Sequence, residues 1–191
     1  HPAFSNLFVQ TEILHERNAI LCTRRPRSPG EQAPTMLHLM AVHGATNGTV
    51  SYETDRLGFL GRTNTAANPQ VMRESTTLAG ADGSVLDPVV AIRRRIMLDP
   101  EQSVTIDLVT GVAETRDSAL ALVEKYQDRH LADRVFELTW THSQVVLRQL
   151  NATEADAQLY AHLASAVIHA NPLLRADPAV LGGGQADAHQ V

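Results

Sequence analysis

The first half of the chain carries short runs in which apolar and polar residues alternate, the pattern of half-buried β-strands. Glycine, proline and asparagine separate these runs, as is typical of turns. The pattern predicts strands at residues 7–14, 19–24, 36–43, 49–54, 89–98 and 104–108. Several short strands joined by turns predict a mainly β fold, an antiparallel β-sandwich.

After residue 113 the apolar residues recur with a helical period. Three helices are predicted, at residues 116–127, at 131–150, and from Thr153 to the Asn171-Pro172 pair. Thr115 is the expected N-cap of the first helix, and Thr153 with Asp156 is the expected capping box of the third. The second helix is apolar over a wider arc than one packing face requires, which indicates more than one packing partner.

Residues 55–87 show little periodicity and contain four glycines and Pro69, so we interpret them as a long surface excursion. Such a segment is seldom kept in a compact domain without a use. Within it, Phe59 and Leu60 form an apolar hook beside the polar residues Arg62, Thr63 and Asn64. A hook of this kind holds a loop against the sandwich while the tip stays available for a ligand or another chain.

Composition excludes several classes of protein. There are 16 Lys and Arg against 21 Asp and Glu, a net charge of −5, so the basic excess of a nucleic-acid-binding protein is missing. A lone cysteine, Cys22, excludes internal disulfides and a thiolate-rich zinc site, and we expect it to be a packed free thiol. No run of 18 apolar residues occurs, so no membrane contact by this segment is predicted.

Residues with catalytic or ligating chemistry do not converge in any known motif. The histidine pairs His38 with His43 and His162 with His169 have spacings that do not suit one zinc ion, so no metal site is predicted. Nucleophile-elbow and phosphate-loop motifs are absent. Four aspartates fall beside glycine, proline or turns, where turn formation is the favoured interpretation: Asp55, Asp82, Asp87 and Asp99. The remaining cluster is Arg93-Arg94-Arg95. These side chains could bind phosphate or sugar hydroxyls, or they could lie on a solvated face of the strand.

Several blocks taken together carry a family resemblance. They occur in order along nearly the whole chain, at residues 1–12, 24–28, 52–62, 86–95, 110–116, 140–141 and 171–175. With these blocks the chain resembles glycoside hydrolase family 94, the cellobiose and chitobiose phosphorylases. It is most similar to the phosphorylase-like region of the cyclic β-1,2-glucan synthase branch.

The resemblance implies part of a mutarotase-like super-sandwich, residues 1–114, followed by linker helices at 115–178. Residues 179–191 would be a flexible tail leading towards a catalytic (α/α)6 barrel that this sequence does not contain. The start at His1, without Met, fits an excised segment. In the family the general acid is a barrel Asp, and no residue here matches it. The resemblance therefore implies no catalytic, cofactor-binding or metal-binding residue in this chain.

For function, the resemblance implies a non-catalytic portion of a glucan-processing enzyme. Its expected partners are a β-linked glucan or oligosaccharide, the barrel of the parent chain, and a second subunit in a possible homodimer. Arg62, Thr63 and Asn64 are the expected substrate-proximal loop. The expected location is the cytoplasmic side, with a parent protein in the inner membrane. The alternative is an autonomous carbohydrate-binding or dimerisation module, against which the low aromatic content of 4% counts.

Overall fold

The computed structural model describes residues 2–44, 48–73, 77–169 and 176–177. The chain divides into two compact units, His1–Val135 and Phe136–Val191. The strands are β1 (Val9–Leu14), β2 (Ala19–Arg24), β3 (Thr35–His43), β4 (Val50–Asp55), β5 (Pro88–Arg94) and β6 (Thr105–Ala113). The helices are α1 (Pro2–Asn6), α2 (Arg56–Leu60), α3 (Gln70–Arg73), α4 (Arg116–Lys125), α5 (Arg129–Gln149) and α6 (Glu154–Ile168).

The strands of the first unit form two antiparallel sheets. One has four strands in the order β1-β2-β3-β6, and the other has β4 and β5. The longest pairing joins β3 to β6 over nine positions, from Thr35 opposite Ala113 to His43 opposite Thr105. The predicted antiparallel sandwich is confirmed, with a second sheet narrower than the first.

One face of the four-stranded sheet packs against α4. Leu21, Leu37 and Leu39 from the sheet are buried against Ala119 and Val123 of the helix. The Thr115 side chain accepts a hydrogen bond from the Ser118 N–H, as expected of an N-cap. The prediction of this amphipathic helix, with its cap, is therefore confirmed, and its apolar face completes a core on the outer side of the sandwich.

The opposite face of the sheet packs against the two-stranded sheet. Ile13 and Ile20 of the large sheet are buried together with Tyr52 of β4. The Tyr52 hydroxyl donates to the Asn18 side-chain oxygen at 3.0 Å, so this buried ring keeps a partner for its polar end. A second, smaller core thus lies between the two sheets.

Two predictions about irregular segments need correction. The strand predicted to reach residue 98 ends at Arg94, because its partner β4 begins at Val50, opposite Arg94. The segment 55–87 is not a plain surface excursion, since it contains α2 and α3. Its later part also lies along two strands: the Gly80 N–H donates to the Tyr52 carbonyl at 2.9 Å, and Gly83 bridges to Thr11.

In the second unit, the described helices are the later part of α5 and the whole of α6. Asn151, in the left-handed conformation with φ of 51°, ends α5, and the Ala152 N–H donates to the Leu147 carbonyl. The predicted capping box of Thr153 and Asp156 begins α6. The predicted stop at Asn171-Pro172 and the predicted tail at 179–191 lie outside the described residues. The predicted domain boundary after residue 114 stays a prediction.

An ion pair ties β1 to the start of α4. Arg116 donates to both carboxylate oxygens of Glu12, at 2.9 and 2.6 Å, and this hydrogen bonding lowers the pKa of Glu12. A carboxyl whose pKa is lower in the folded state stabilises the fold above its ordinary pKa of 4.5. That contribution is lost as the pH falls through the lowered value.

We therefore expect Glu12→Gln to be slightly less stable than the wild-type chain at pH 7 and to differ less from it at pH 2. The effect is small because both side chains are about half exposed. Urea unfolding followed by circular dichroism at the two pH values measures the gap. Glu124→Gln, an exposed position in α4, is the control. A gap that stays constant with pH would contradict the assignment.

Candidate functional site

The predicted loop at residues 61–64 follows α2 directly. Asp55, at the end of β4, caps this helix by accepting hydrogen bonds from the N–H groups of Leu57 and Gly58. The turn-forming interpretation of Asp55 is thereby confirmed. At the other end, the Gly61 N–H donates to the Leu57 carbonyl at 2.8 Å. Gly61 has a φ of 76°, a conformation that side chains disfavour, so the chain reverses sharply into the loop.

Hydrogen bonds inside the loop hold its backbone. The Arg62 carbonyl accepts from the Thr63 hydroxyl at 2.6 Å and from the Asn64 amide at 3.1 Å. The Asn64 amide oxygen in turn accepts from Arg73 of α3. Arg62 and Thr63 are exposed and Asn64 is half-buried. The structure thus brings the three predicted residues together at one surface, with the Arg62 side chain in solvent.

A buried carboxylate lies at the end of β4, where the strand turns into α2, and the sequence analysis did not single it out. Glu53 is 1% exposed, and its Oε1 accepts from the backbone N–H groups of Thr54 and Asp55, both at 2.9 Å. The pairing of β4 with β5 is irregular between Glu53 and Asp55. The Glu53 side chain therefore replaces strand partners at the point where β4 turns into α2. The local signal is that Glu53, Thr54 and Asp55 are three consecutive polar residues at the end of a strand, which does not by itself mark the glutamate as buried.

Two clefts run along β5, on the side of the sandwich next to β3 and β6. Cleft 1 has a volume of about 390 Å³ and is lined by residues 88–90 together with Cys22, Arg24, Met36 and Val112. Cleft 2 has a volume of about 400 Å³ and is lined by residues 90–94 together with His38, Met40, Met72 and Leu108. Both clefts lie within the first unit.

Cys22 is a half-buried thiol in cleft 1, and burial raises its pKa from 9.0 to about 11. The prediction of a packed free thiol agrees with this environment. At pH 8 the thiolate fraction is then about 100-fold smaller than for an unshifted thiol. We expect a disulfide reagent such as DTNB to label native Cys22 at least about 100-fold more slowly than the urea-unfolded chain. Equal rates in the two states would contradict the buried position.

Three of the other candidates from the sequence, His38, His43 and Arg93, have structural partners. His38 shares a hydrogen bond with Thr110 at 2.8 Å, and His43 lies 3.3 Å from the Asp107 carboxylate. Arg93 donates to the Val71 carbonyl at 2.9 Å, which ties β5 to α3. Among residues 2–44, 48–73, 77–169 and 176–177, no three His, Cys, Asp or Glu side chains are grouped as metal ligands. No helix in these ranges combines the length and the apolarity that crossing a membrane requires.

Comparison with known proteins identifies the fold of the first unit. Residues 1–129 match the supersandwich domain of glycosyl hydrolase 94. The chain is also 30% identical, over 186 residues, to the cyclic β-(1,2)-glucan synthase NdvB of Rhizobium meliloti (strain 1021). That similarity covers 97% of this chain and 7% of the relative's length. The chain belongs to glycosyl hydrolase family 94, and its strands form a supersandwich domain of that family.

Proposed function

We propose that the chain is the non-catalytic sandwich and linker portion of a glucan-processing enzyme, and that its loop at residues 61–64 contacts carbohydrate. The parent would be a cyclic β-1,2-glucan synthase or a related disaccharide phosphorylase. The family match and the similarity to a glucan synthase support the class of parent protein. The catalytic residues would then lie in an (α/α)6 barrel elsewhere in the parent protein.

The single observation that carries the carbohydrate role is the loop itself. Its backbone is held by Gly61, by two bonds to the Arg62 carbonyl and by Arg73, while Arg62 and Thr63 are exposed. Exposed donors on a fixed backbone bind sugar hydroxyls with little loss of conformational entropy. The Arg62 guanidinium offers several donors in one plane. A loop of this kind can border a sugar site or reach into that of a neighbouring subunit.

The test of the loop uses a barrel-containing parent enzyme. We expect Arg62→Ala to raise KM for the glucan with a smaller change in kcat, because uniform binding is lost rather than a transition-state contact. Arg27→Ala, in the exposed turn after β2, is the matched control. If kinetics and subunit association are both unchanged by Arg62→Ala, the loop has no part in the function.

One observation favours the alternative, an autonomous carbohydrate-binding module. Phe136 and Trp140 lie one turn apart on α5 and are 74% and 69% exposed. Neighbouring exposed aromatic rings provide a stacking surface for sugars. Calorimetry of the isolated chain with β-1,2-glucan oligomers distinguishes the two proposals. Binding that is lost in Trp140→Ala favours the module, whereas no binding up to millimolar glucan favours the portion of a larger enzyme.

Localisation follows from the same proposal. We place the chain on the cytoplasmic side, within a parent protein of the inner membrane. Fractionation of cells that express the tagged parent, with protease applied to intact spheroplasts, tests this placement. Protection of this region from the external protease is the expected result, and cleavage within it would place the region on the other side.

A further inference from the structure

The polar residues of the 61–64 loop differ in what they can offer a ligand. Asn64 has both ends of its amide engaged: Nδ2 donates to the Arg62 carbonyl at 3.1 Å, and Oδ1 accepts from Arg73. The Thr63 hydroxyl donates its one proton to the same Arg62 carbonyl at 2.6 Å. The Arg62 guanidinium takes part in none of these bonds, and its side chain is exposed. The loop therefore presents the Arg62 donors to solvent and uses the other two side chains on its own backbone.

Arg73 connects this loop to the sandwich. It is the last residue of α3, and its Nη2 donates to the Asn64 side chain. The helix in turn is tied to β5, because Arg93 donates to the Val71 carbonyl at 2.9 Å. Hydrogen bonds thus run from β5 through α3 to Asn64, and from Asn64 to the backbone of Arg62.

The guanidinium of Arg73 also fixes which way the Asn64 amide points. An arginine side chain carries five N–H donors and no acceptor, so it pairs with the amide oxygen and not with the NH2 group. With the oxygen held there, the NH2 group faces the Arg62 carbonyl, which can only accept. A reversed amide would place its NH2 group against the guanidinium and its oxygen against the carbonyl, and both bonds would be lost. Arg73 therefore determines a contact at the Arg62 backbone that it does not itself make.

We propose that Arg73 is a positioning residue, which holds the Arg62 backbone through Asn64 so that, of the loop side chains, the Arg62 guanidinium donates to the sugar. The advantage is entropic, because a backbone that is already ordered does not have to be ordered on binding. The inference rests on the proposed carbohydrate role. It divides the loop into one residue that contacts the ligand, Arg62, and two that support it, Thr63 and Asn64.

The test is a double-mutant cycle in the barrel-containing parent enzyme. We expect Arg73→Ala to raise KM for the glucan about threefold with kcat unchanged, because binding loses a preformed contact and the chemical step does not. In an Arg62→Ala background, Arg73→Ala should change KM by less than about 1.5-fold, because the residue that it positions is gone. Arg73→Lys, which keeps a donor, should recover part of the loss. The control Arg116→Ala removes an exposed arginine that is paired elsewhere, with Glu12, and should leave KM unchanged.

A second measurement needs no sugar and uses this chain alone. The order parameter of the Arg62 backbone amide, from nitrogen relaxation, should fall from about 0.85 towards about 0.6 in Arg73→Ala. Asn64→Asp should lower it as well, since the carboxylate accepts from Arg73 but has no NH2 group to donate to the Arg62 carbonyl. Arg116→Ala should leave this order parameter unchanged.

The outcomes separate this inference from the carbohydrate role. An order parameter that Arg73→Ala leaves unchanged would overturn the positioning role, and so would additive effects on KM in the cycle. A raised KM in Arg62→Ala beside an unchanged KM in Arg73→Ala would overturn the positioning role and leave the carbohydrate role standing. An unchanged KM in both variants would overturn the carbohydrate role, while the order parameter would still decide whether Arg73 holds the loop.

Discussion

Leu39→Ala is expected to cost about 2–5 kcal/mol of unfolding free energy, which is a large part of the stability of a domain this size. Leu39 is fully buried in the centre of β3, in the cluster that α4 covers. Removing its side chain leaves a cavity between the sheet and Val123, which the closely packed strands cannot close. Urea unfolding followed by far-ultraviolet circular dichroism measures the loss as a lower midpoint with an unchanged slope.

The matched control is Leu108→Ala in the neighbouring strand β6. Leu108 is 62% exposed on the opposite face of the same sheet, so its truncation should change stability by no more than about 0.5 kcal/mol. Similar losses for the two variants would mean that the β6 face is already covered in solution. That result would contradict both the one-sided burial of this sheet and the exposure of Leu108, which lines cleft 2.

Glu53→Ala is expected to cost about 2–4 kcal/mol, because it removes the buried carboxylate on which the end of β4 depends. Without Oε1, the Asp55 N–H loses its acceptor, and the Thr54 N–H keeps only a longer bond of 3.2 Å to the Ala81 carbonyl. Asp55 caps α2, so the loss should also reach the loop at Arg62. Hydrogen exchange of the Gly61 amide should accelerate more than exchange at the centre of β3.

Two further variants test whether the loss of stability comes from the buried carboxylate itself. Glu53→Gln keeps a side-chain oxygen that accepts from the backbone, so it should lose less stability than Glu53→Ala. Glu124→Ala, at an exposed position on α4, should change stability by about 0.5 kcal/mol or less. If Glu53→Ala proved as mild as Glu124→Ala, the carboxylate would not support the junction of β4 and α2.

The sequence predicted most of the regular elements because their patterns are local. Alternation located the six strands, although β5 ends at Arg94 rather than at residue 98 and β6 continues to Ala113 beyond the predicted residue 108. Capping residues located the starts of α4 and α6, since a cap acts on N–H groups two or three positions away. The short helices α1, α2 and α3 were missed, because five residues or fewer cannot show a helical period.

The candidate site was predicted only in part, for a similar reason. The sequence allowed the polar tip to be selected, because Arg62, Thr63 and Asn64 follow an apolar hook. It did not allow prediction of the hydrogen bonds that hold this tip in place. The bond from Arg73 to Asn64 joins residues nine positions apart across an irregular segment. The burial of Glu53 depends on α2 and on the strands around it, and no pattern in the sequence marks a glutamate as buried.

By itself the sequence determined the approximate positions of the strands and of the three long helices, the caps of α4 and α6, and the absence of known catalytic motifs, because spacing and residue type are sufficient for these. Only the tertiary structure decided which faces are covered. It placed α4 on one side of the large sheet and a two-stranded sheet on the other, and left Leu108 and Val112 of β6 exposed. It also buried the Nε and Nη2 atoms of Arg24, which have no hydrogen-bond acceptor among the described residues. Burial and pairing between residues far apart in the chain depend on how sheets pack, and local periodicity does not specify that packing.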